Sequence, residues 1–336
     1  MVRSASGAAT PATSPTRTDS GGRSPGTPDP SASSSSHQWA TPPERAHEKP
    51  PGPARLGPGS HALRGPAYSL LLQGFLVPPR QRSTGATIIA VANQKGGVAK
   101  TTSVASLGAA FAELGKRVLL VDLDAQACLT FSLGVDPDAV EESVHHVLLG
   151  QAELSDVIVT CEDGVDLVPS SIDLAGTEAV LLGRPAREYV LQSALADVRK
   201  DYDVILLDCS PSLGVLTLNA LTAAQGLIIP MPCEMLSHRG VGQLLDTVAD
   251  VKKFLNKKLK VIGILPTLFD GRSNHAQEVL SDVGERYGLP VLSPPIPRTV
   301  RFAEAPAVGR SILATSRSSK GARAYREVAK SLVPTL

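Results

Sequence analysis

The sequence predicts an α/β fold in which a mainly parallel, twisted β-sheet is flanked by helices. From about residue 86 onward, short apolar runs rich in β-branched residues alternate with segments of helical periodicity, which is typical of βαβ units. A glycine-rich loop lies between the first apolar run and the first helical segment, where α/β proteins hold phosphate groups. The remaining chain, about 250 residues, is long enough to bury one large core.

The pattern places seven strands in this region, and each ends near polar, glycine or proline residues. In open α/β sheets, ligands bind at the edge where the carboxyl ends of the strands meet. The helices that the periodicity predicts include 101–114, which ends at Gly115, then 239–254 and 321–333. The predicted strands are 87–92, 117–122, 165–168, 204–208, 227–230, 260–265 and 290–292.

The overall composition averages two unlike parts of the chain. The 336 residues carry a formal net charge of +1 and are 42% hydrophobic. Residues 1–84 are rich in Ser, Pro and Gly and hold few large apolar side chains, so we expect a disordered extension. Residues 69–77 form an apolar island in it, too short to span a bilayer; it is either a linker segment or a docking peptide. Residues 85–336 are expected to form the single α/β domain.

The loop at 93–103 has the composition of a phosphate cradle. Gly96 and Gly97 let the backbone approach an anion closely, and the following helix N-terminus favours negative charge. In a P-loop, a lysine placed as Lys100 reaches the β- and γ-phosphates, and a hydroxyl placed as Thr101 lies on Mg²⁺. The loop therefore predicts a nucleotide, and the alternative is a glycine-rich turn with two solvated lysines.

The loop departs from the strict P-loop pattern at two positions. Gln94 and Ala99 stand where that pattern requires glycine, and a second lysine, Lys95, begins the loop. If position 99 needs a positive φ, its alanine costs about 1 kcal/mol.

Two apolar strands end in carboxylates that could bind a metal ion and position a water molecule. Asp122 ends the strand at 117–122, and Asp124 lies two residues further, so both side chains point toward the same side of the sheet edge. The run Val204 to Leu207 is followed by Asp208, the pattern of a carboxylate that holds a Mg²⁺ shell.

The four cysteines do not form a metal or disulfide pattern. Cys128, Cys161, Cys209 and Cys233 are far apart and include no C-x-x-C pair, which suits a reducing compartment. We expect all four to be small buried hydrophobic side chains.

These motifs, in this order, resemble the ParA/Soj chromosome-partitioning ATPases, which belong to the MinD/ParA group with a deviant Walker A motif. The likeness rests on K-G-G-V-A-K-T-T at 95–102, the D-x-D-x-Q strand end, the Asp208 strand and the segment 296–306. Ala125 and Ser210 replace prolines of the family pattern, and Thr299 replaces an asparagine. The resemblance is strongest to Soj-like forms of actinobacteria, and it covers the domain but not residues 1–84.

The resemblance implies an ATPase that works as an ATP-dependent homodimer, with ATP and Mg²⁺ as cofactors. In the family, the early lysine crosses to the partner's phosphates, which implies that role for Lys95, and the second aspartate of D-x-D, here Asp124, positions the attacking water. The implied catalytic residues are Lys95, Lys100 and Asp124. The implied metal ligands are Thr101, Asp122 and Asp208. The implied nucleotide contacts are Lys95, Gly96, Gly97, Val98, Ala99, Lys100, Thr101, Thr102, Pro297 and Thr299.

The resemblance also implies nonspecific DNA binding by the ATP-bound dimer, slow hydrolysis stimulated by a ParB-like protein, and a cytoplasmic, nucleoid-associated location. With a net charge of only +1, a DNA-binding face must be a local patch. The candidate residues are Arg272, Arg298, Arg301, Arg317 and Lys320.

Two alternatives remain open from the sequence: a MinD-like, membrane-associated positioning ATPase, and a ParA-like adaptor that positions another cargo. The first would use a basic, strongly apolar C-terminal helix. The apolar face of the predicted helix at 321–333 is modest, so we expect it to pack on the core and we expect no stable membrane insertion.

Overall fold

The computed structural model describes residues 85–234 and 238–336. The predicted disordered extension and its apolar island lie outside these residues. Seven strands form one sheet in the described part. Their bounds are β1 Thr87–Val91, β2 Val118–Leu123, β3 Val159–Thr160, β4 Asp166–Val168, β5 Val204–Cys209, β6 Gly226–Pro232 and β7 Lys260–Thr267.

The sheet has the order β3-β4-β2-β5-β1-β6-β7. All neighbouring strands are parallel except the short pair β3 and β4 at one edge. The central strand β5 is buried along its whole length, as expected for a parallel strand covered on both faces. This confirms the predicted fold class.

Helices cover both faces of the sheet. One core lies under α1 and α11, and the other lies under the helices from α3 to α8. The helices are α1 Lys100–Glu113, α2 Cys128–Ser132, α3 Val144–Leu149, α4 Leu174–Leu182, α5 Val190–Val198, α6 Val215–Ala223, α7 His238–Phe254, α8 Asn274–Tyr287, α9 Arg301–Glu304, α10 Ile312–Thr315 and α11 Lys320–Leu332.

The C-terminal helix α11 packs on the core, as predicted. Tyr325 and Val328 are fully buried, and the Tyr325 hydroxyl lies 2.9 Å from Ser103 Oγ on α1. This apolar face is therefore already covered by the protein. Within the described residues, we find no helix whose length and apolar character would allow it to cross a membrane.

The structure corrects one predicted strand and one cysteine, and it contains one strand that the sequence analysis did not predict. The predicted strand at 290–292 is wrong, since this segment makes only an isolated bridge between Val291 and Ile264. The edge strand β3 gave no signal because both of its residues, Val159 and Thr160, are exposed. Cys128 is exposed, whereas the other three cysteines are buried as predicted.

Candidate nucleotide site

The loop between β1 and α1 has the backbone of a phosphate cradle. Gly97 and Ala99 both have positive φ, of 70° and 66°, and Ala99 is the residue that precedes α1. A Cβ atom added at Gly96 or at Gly97 would meet nothing within 4 Å, so the space beside both glycines is open. Position 99 therefore does need the left-handed conformation that the strict pattern reserves for glycine.

The loop is fixed from three neighbouring strand ends. Asn93 at the end of β1 donates from Nδ2 to the carbonyl of Pro230 on β6 at 2.7 Å. Its Oδ1 accepts from the Lys95 backbone N–H at 3.0 Å. On the other side, Thr267 of β7 donates from Oγ1 to the carbonyl of Val98 at 3.0 Å. These hydrogen bonds tie the loop to the sheet without a ligand, which favours binding because less ordering is then needed.

The two lysines of the loop occupy different environments. Lys100 is only 8% exposed, and its Nζ donates to the carbonyl of Lys95 at 3.3 Å, inside the loop. Burial lowers the pKa of the Lys100 ammonium, and the charge of Asp208 opposes that shift. Lys95 instead extends away from the loop, and its Nζ lies 3.3 Å from Glu234 Oε2.

Glu234 bridges Lys95 to the segment for which the family resemblance implies nucleotide contacts. Its other oxygen, Oε1, lies 3.3 Å from Nη2 of Arg298. All three side chains are more than a third exposed, so the bridge contributes little to stability. The bridge does, however, hold the segment that contains Pro297 and Thr299 close to the phosphate loop. In this structure Thr299 Oγ1 accepts from the Arg301 backbone N–H at 3.3 Å.

Asp208 is the strongest candidate for a metal ligand. It is fully buried at the end of β5, and neither carboxylate oxygen has a hydrogen-bond partner of normal geometry, although the Thr101 hydroxyl is close enough to lower its pKa somewhat. Burial, together with the charge of Asp122, holds the pKa of Asp208 well above its usual range. An unpaired buried carboxylate is unfavourable, and a cation at this position would neutralise it.

Asp122 lies directly beside Asp208, since the two residues are register partners on β2 and β5. Unlike the carboxylate oxygens of Asp208, both carboxylate oxygens of Asp122 already accept hydrogen bonds. Oδ2 accepts from the backbone N–H and the hydroxyl of Thr130, at 2.9 and 2.8 Å, and Oδ1 accepts from the Asp124 N–H at 3.2 Å. Burial nevertheless raises the pKa of Asp122 to about 6. The free lone pairs for a metal therefore belong chiefly to Asp208.

The donor set fits Mg²⁺ better than a metal caged by protein alone. Within the described residues, no group of three or more His, Cys, Asp or Glu side chains is arranged to hold a metal ion. Mg²⁺ commonly keeps several waters and binds through one or two carboxylates plus substrate phosphates. Asp208, the Thr101 hydroxyl and a phosphate in the adjacent cradle would supply such a set.

Asp124 follows β2 and is partly exposed toward the same edge. Its Oδ1 accepts from the Gln126 N–H at 3.0 Å, and its carbonyl accepts from Ser170 Oγ at 2.8 Å. These bonds hold the turn although Ala125 stands in the place of proline. Asp124 is also close enough to contribute to the electrostatic field at Lys100, which places it near the phosphate end of the cradle.

The five candidate DNA-binding residues lie in three segments of the structure, at the turn after β7, at 298–301 and at 317–320. Arg298 is paired with Glu234, and Arg301 is paired with Glu304 at 2.8 Å. Arg272 is exposed in the turn after β7, at the edge that carries the nucleotide loop. Arg317 lines a separate cleft with Glu113 and Arg310, and Lys320 begins α11 and is exposed.

Sequence reasoning missed a stronger basic surface, which we call the lysine surface. Residues 252–260 contain five lysines and no acidic residue, a charge run visible in the sequence. All five are exposed, and none forms an ion pair with a residue that the structure describes. The lysine surface consists of Lys252, Lys253, Lys257, Lys258 and Lys260.

Comparison with known proteins supports a nucleotide-binding interpretation. A family model described as an AAA domain matches residues 86–261. The chain is 44% identical over 244 residues to the sporulation initiation inhibitor protein Soj of Bacillus subtilis, covering 72% of this chain and 96% of that protein. It is 45% identical over 245 residues to the chromosome-partitioning ATPase Soj of Thermus thermophilus, covering 73% and 94%.

Among solved structures, the chain is similar to the cobyrinic acid a,c-diamide synthase of Mycobacterium smegmatis. The identity is 56%, the TM-score is 0.67, and the match covers 74% of this chain and 94% of that one. That protein has been solved with ADP and magnesium and with an ATP analogue and magnesium.

Proposed function

This chain belongs to the Soj/ParA family of chromosome-partitioning ATPases, and from that premise we propose that it is a nucleotide switch acting in chromosome or plasmid partitioning. It is an ATPase whose cofactors are ATP and Mg²⁺. In the proposal, ATP closes two copies into a dimer, the dimer binds DNA without sequence preference, and hydrolysis releases it. A ParB-like partner would accelerate the hydrolysis step, and the protein would act in the cytoplasm at the nucleoid.

The observation that carries the proposal is the different placement of the two loop lysines. Lys100 occupies the interior of its own cradle, so one cation would already serve a nucleotide bound there. Lys95 extends outward and its ammonium pairs with the exposed Glu234, which leaves it available to a second nucleotide facing this edge. An added cation at a transferring phosphoryl group stabilises spread negative charge and is worth about 10³- to 10⁵-fold in rate.

The remaining site residues have roles that follow from their surroundings. Backbone N–H groups of the loop and Lys100 would bind the phosphates, and Asp208 and the Thr101 hydroxyl would hold the Mg²⁺ shell. A bound Mg²⁺ would neutralise negative charge on the phosphates. Asp122, saturated by Thr130, would fix the turn that presents Asp124. Asp124 would orient the attacking water.

The Lys95→Ala variant tests the proposal. We expect it to retain ATP binding because Lys100 remains, but to lose ATP-dependent dimerisation and stimulated turnover, measured by sedimentation velocity and phosphate release. Lys100→Ala should lose ATP binding itself. Glu234→Gln is the matched control, since it removes the ion pair of Lys95 but keeps the lysine, and it should still dimerise. If Lys95→Ala dimerises and turns over like the wild type, the shared site is wrong.

A second candidate function is ATP-dependent amide synthesis. The observation that favours it is the 56% identity with cobyrinic acid a,c-diamide synthase. Amide synthesis from glutamine commonly needs a reactive thiolate, as in other nucleophilic cysteine sites. Here burial raises the pKa of all four thiols, to about 11 for Cys161 and Cys233. ATP turnover that depends on ammonia or glutamine and a carboxylic acid, rather than on DNA, would favour this alternative.

A further inference from the structure

Helix α4 presents an apolar face to solvent, which is unusual for a helix at the surface of a domain. Within α4, every exposed side chain is apolar, whereas a surface helix normally turns polar residues outward. Val180 and Leu182 are 48% and 59% exposed, and Ile172, just before the helix, is 66% exposed. Several large apolar side chains exposed on and beside one helix are typical of an interaction site.

The position of α4 ties this surface to the nucleotide edge of the sheet. The helix follows β4, and Ser170 at the end of that strand donates to the carbonyl of Asp124 at 2.8 Å. On its other side, Glu178 Oε1 accepts from the Leu216 N–H at 3.5 Å on α6. Glu178 also lies against Gly214, where a Cβ would collide with its carboxylate. Helix α4 is therefore packed between the segments that follow Asp124 and Asp208.

The chemistry of this face favours a second copy of the chain as its occupant. A two-fold interface places the same patch of both copies against itself, and the apolar side chains of α4 are complementary to their own copies. A membrane surface would be favoured by free basic side chains beside the apolar ones, whereas the one exposed charged side chain within 172–182 is the acidic Asp173. The first two arginines after α4 in the chain are bonded to backbone carbonyls, Arg184 to Leu149 at 3.0 Å and Arg187 to Leu182 at 2.6 Å.

We propose that the exposed face of α4 is the apolar contact between two copies in the nucleotide-dependent dimer. We call it the α4 face and define it by Ile172, Ala175, Ala179, Val180 and Leu182. The inference rests on the proposed function, because it assumes that ATP brings the nucleotide edges of two copies together. It adds an apolar contact between the two protein chains to the contact that Lys95 would make with the nucleotide of the other copy.

A double variant, Val180→Glu with Leu182→Glu, tests the α4 face in the full chain. Placing like charges opposite each other across a two-fold axis is strongly unfavourable. We therefore expect the dimer dissociation constant with ATP to rise at least about tenfold in sedimentation equilibrium. Binding of a fluorescent ATP analogue to the monomer should be unchanged. The matched control is Phe254→Glu, because Phe254 is 68% exposed at the end of α7 and should dimerise normally.

The outcomes separate this inference from the proposed function. If the wild type stays monomeric with ATP, the switch itself is wrong. If the wild type dimerises and the double variant dimerises equally well, the α4 face is overturned and the switch stands. Loss of binding to vesicles or to another protein, with dimerisation intact, would also overturn it.

Cross-linking provides a measurement that does not depend on destabilising the protein. Cys128 is exposed and the other three cysteines are buried, so a Cys128→Ser background offers no accessible native thiol. In that background, Val180→Cys should give a covalent dimer with a short bismaleimide when ATP is present and much less without it. Phe254→Cys should give none. Absence of the Val180→Cys cross-link, under conditions where the protein sediments as a dimer, would contradict the proposal.

Discussion

The backbone of Ala99 is strained, and hydrogen bonds to its carbonyl oxygen keep it in the strained conformation. Its φ of 66° lies in the left-handed region, while its oxygen accepts from the backbone N–H and the hydroxyl of Ser103 at 3.0 and 2.7 Å. Ala99→Gly should therefore raise the free energy of unfolding by about 1 kcal/mol, measured by urea denaturation. Ala112→Gly, inside α1, should lower it by about as much. An Ala99→Gly variant no more stable than the wild type would refute the strain.

Individual site residues differed in how far the sequence could identify them. The loop, Asp122, Asp124 and Asp208 could be singled out as candidates, because phosphate and metal chemistry demands particular residue types at fixed places after a strand. The contact of Glu234 with Lys95 could not, because the two residues are 139 positions apart in the chain. Nor could the sequence distinguish Asp122 from Asp208 as a metal ligand. Only the structure shows that Thr130 saturates the former.

At the scale of elements, a salt bridge fastens α11 to the end of α1. Arg326 donates to Glu113 through Nε at 2.5 Å and Nη2 at 2.9 Å, and this hydrogen bonding lowers the pKa of Glu113 below its ordinary 4.5. A carboxyl group whose pKa is lower in the folded than in the unfolded chain stabilises the fold at pH values above its unfolded-state pKa. That stabilisation is lost as the pH falls through its folded-state pKa. Glu113→Gln should therefore cost about 1 kcal/mol at pH 7, since the pair is partly in water.

The measurement for this pair is urea unfolding of both proteins between pH 3 and 7. The difference between wild type and Glu113→Gln should shrink toward zero at the acid end. Glu327→Gln is the control, because the pair of Glu327 with Lys330 is more than half exposed and should contribute almost nothing. A difference between wild type and Glu113→Gln that stays constant with pH would mean that the charge of Glu113 is not responsible.

Elements with a strong periodic pattern were predicted closely, and those without one were not. The observed bounds of α1, α7 and α11 lie within one residue of the predicted ends, because each helix has a sustained helical periodicity. Gly115 also follows α1, and the Ser319 side chain caps α11. The edge strand β3 failed because two exposed residues carry no alternation. The segment at 290–292 failed in the opposite way: its apolar residues pack beside β7 with one bridge rather than a ladder.

On the scale of the whole molecule, the basic residues lie at opposite ends of the strands. Arg272 follows the carboxyl end of β7, at the nucleotide edge, whereas Lys260 begins that strand and belongs to the lysine surface. If two copies close at the nucleotide edge, only residues near that edge are brought together by ATP. DNA contacts at the lysine surface would then be the same in monomer and dimer.

This geometry predicts two separable contributions to DNA binding. Lys257→Glu with Lys258→Glu should weaken binding to a short duplex both with and without ATP, by at least about tenfold at low salt. Arg272→Glu should weaken only the ATP-dependent part. Fluorescence anisotropy across a salt series measures both, and each lost phosphate contact should flatten the slope of log affinity against log salt by about 0.9. The control is Lys330→Glu, because Lys330 is already paired with Glu327. Equal effects of Arg272→Glu with and without ATP would show that closure of the dimer does not assemble the DNA-binding face.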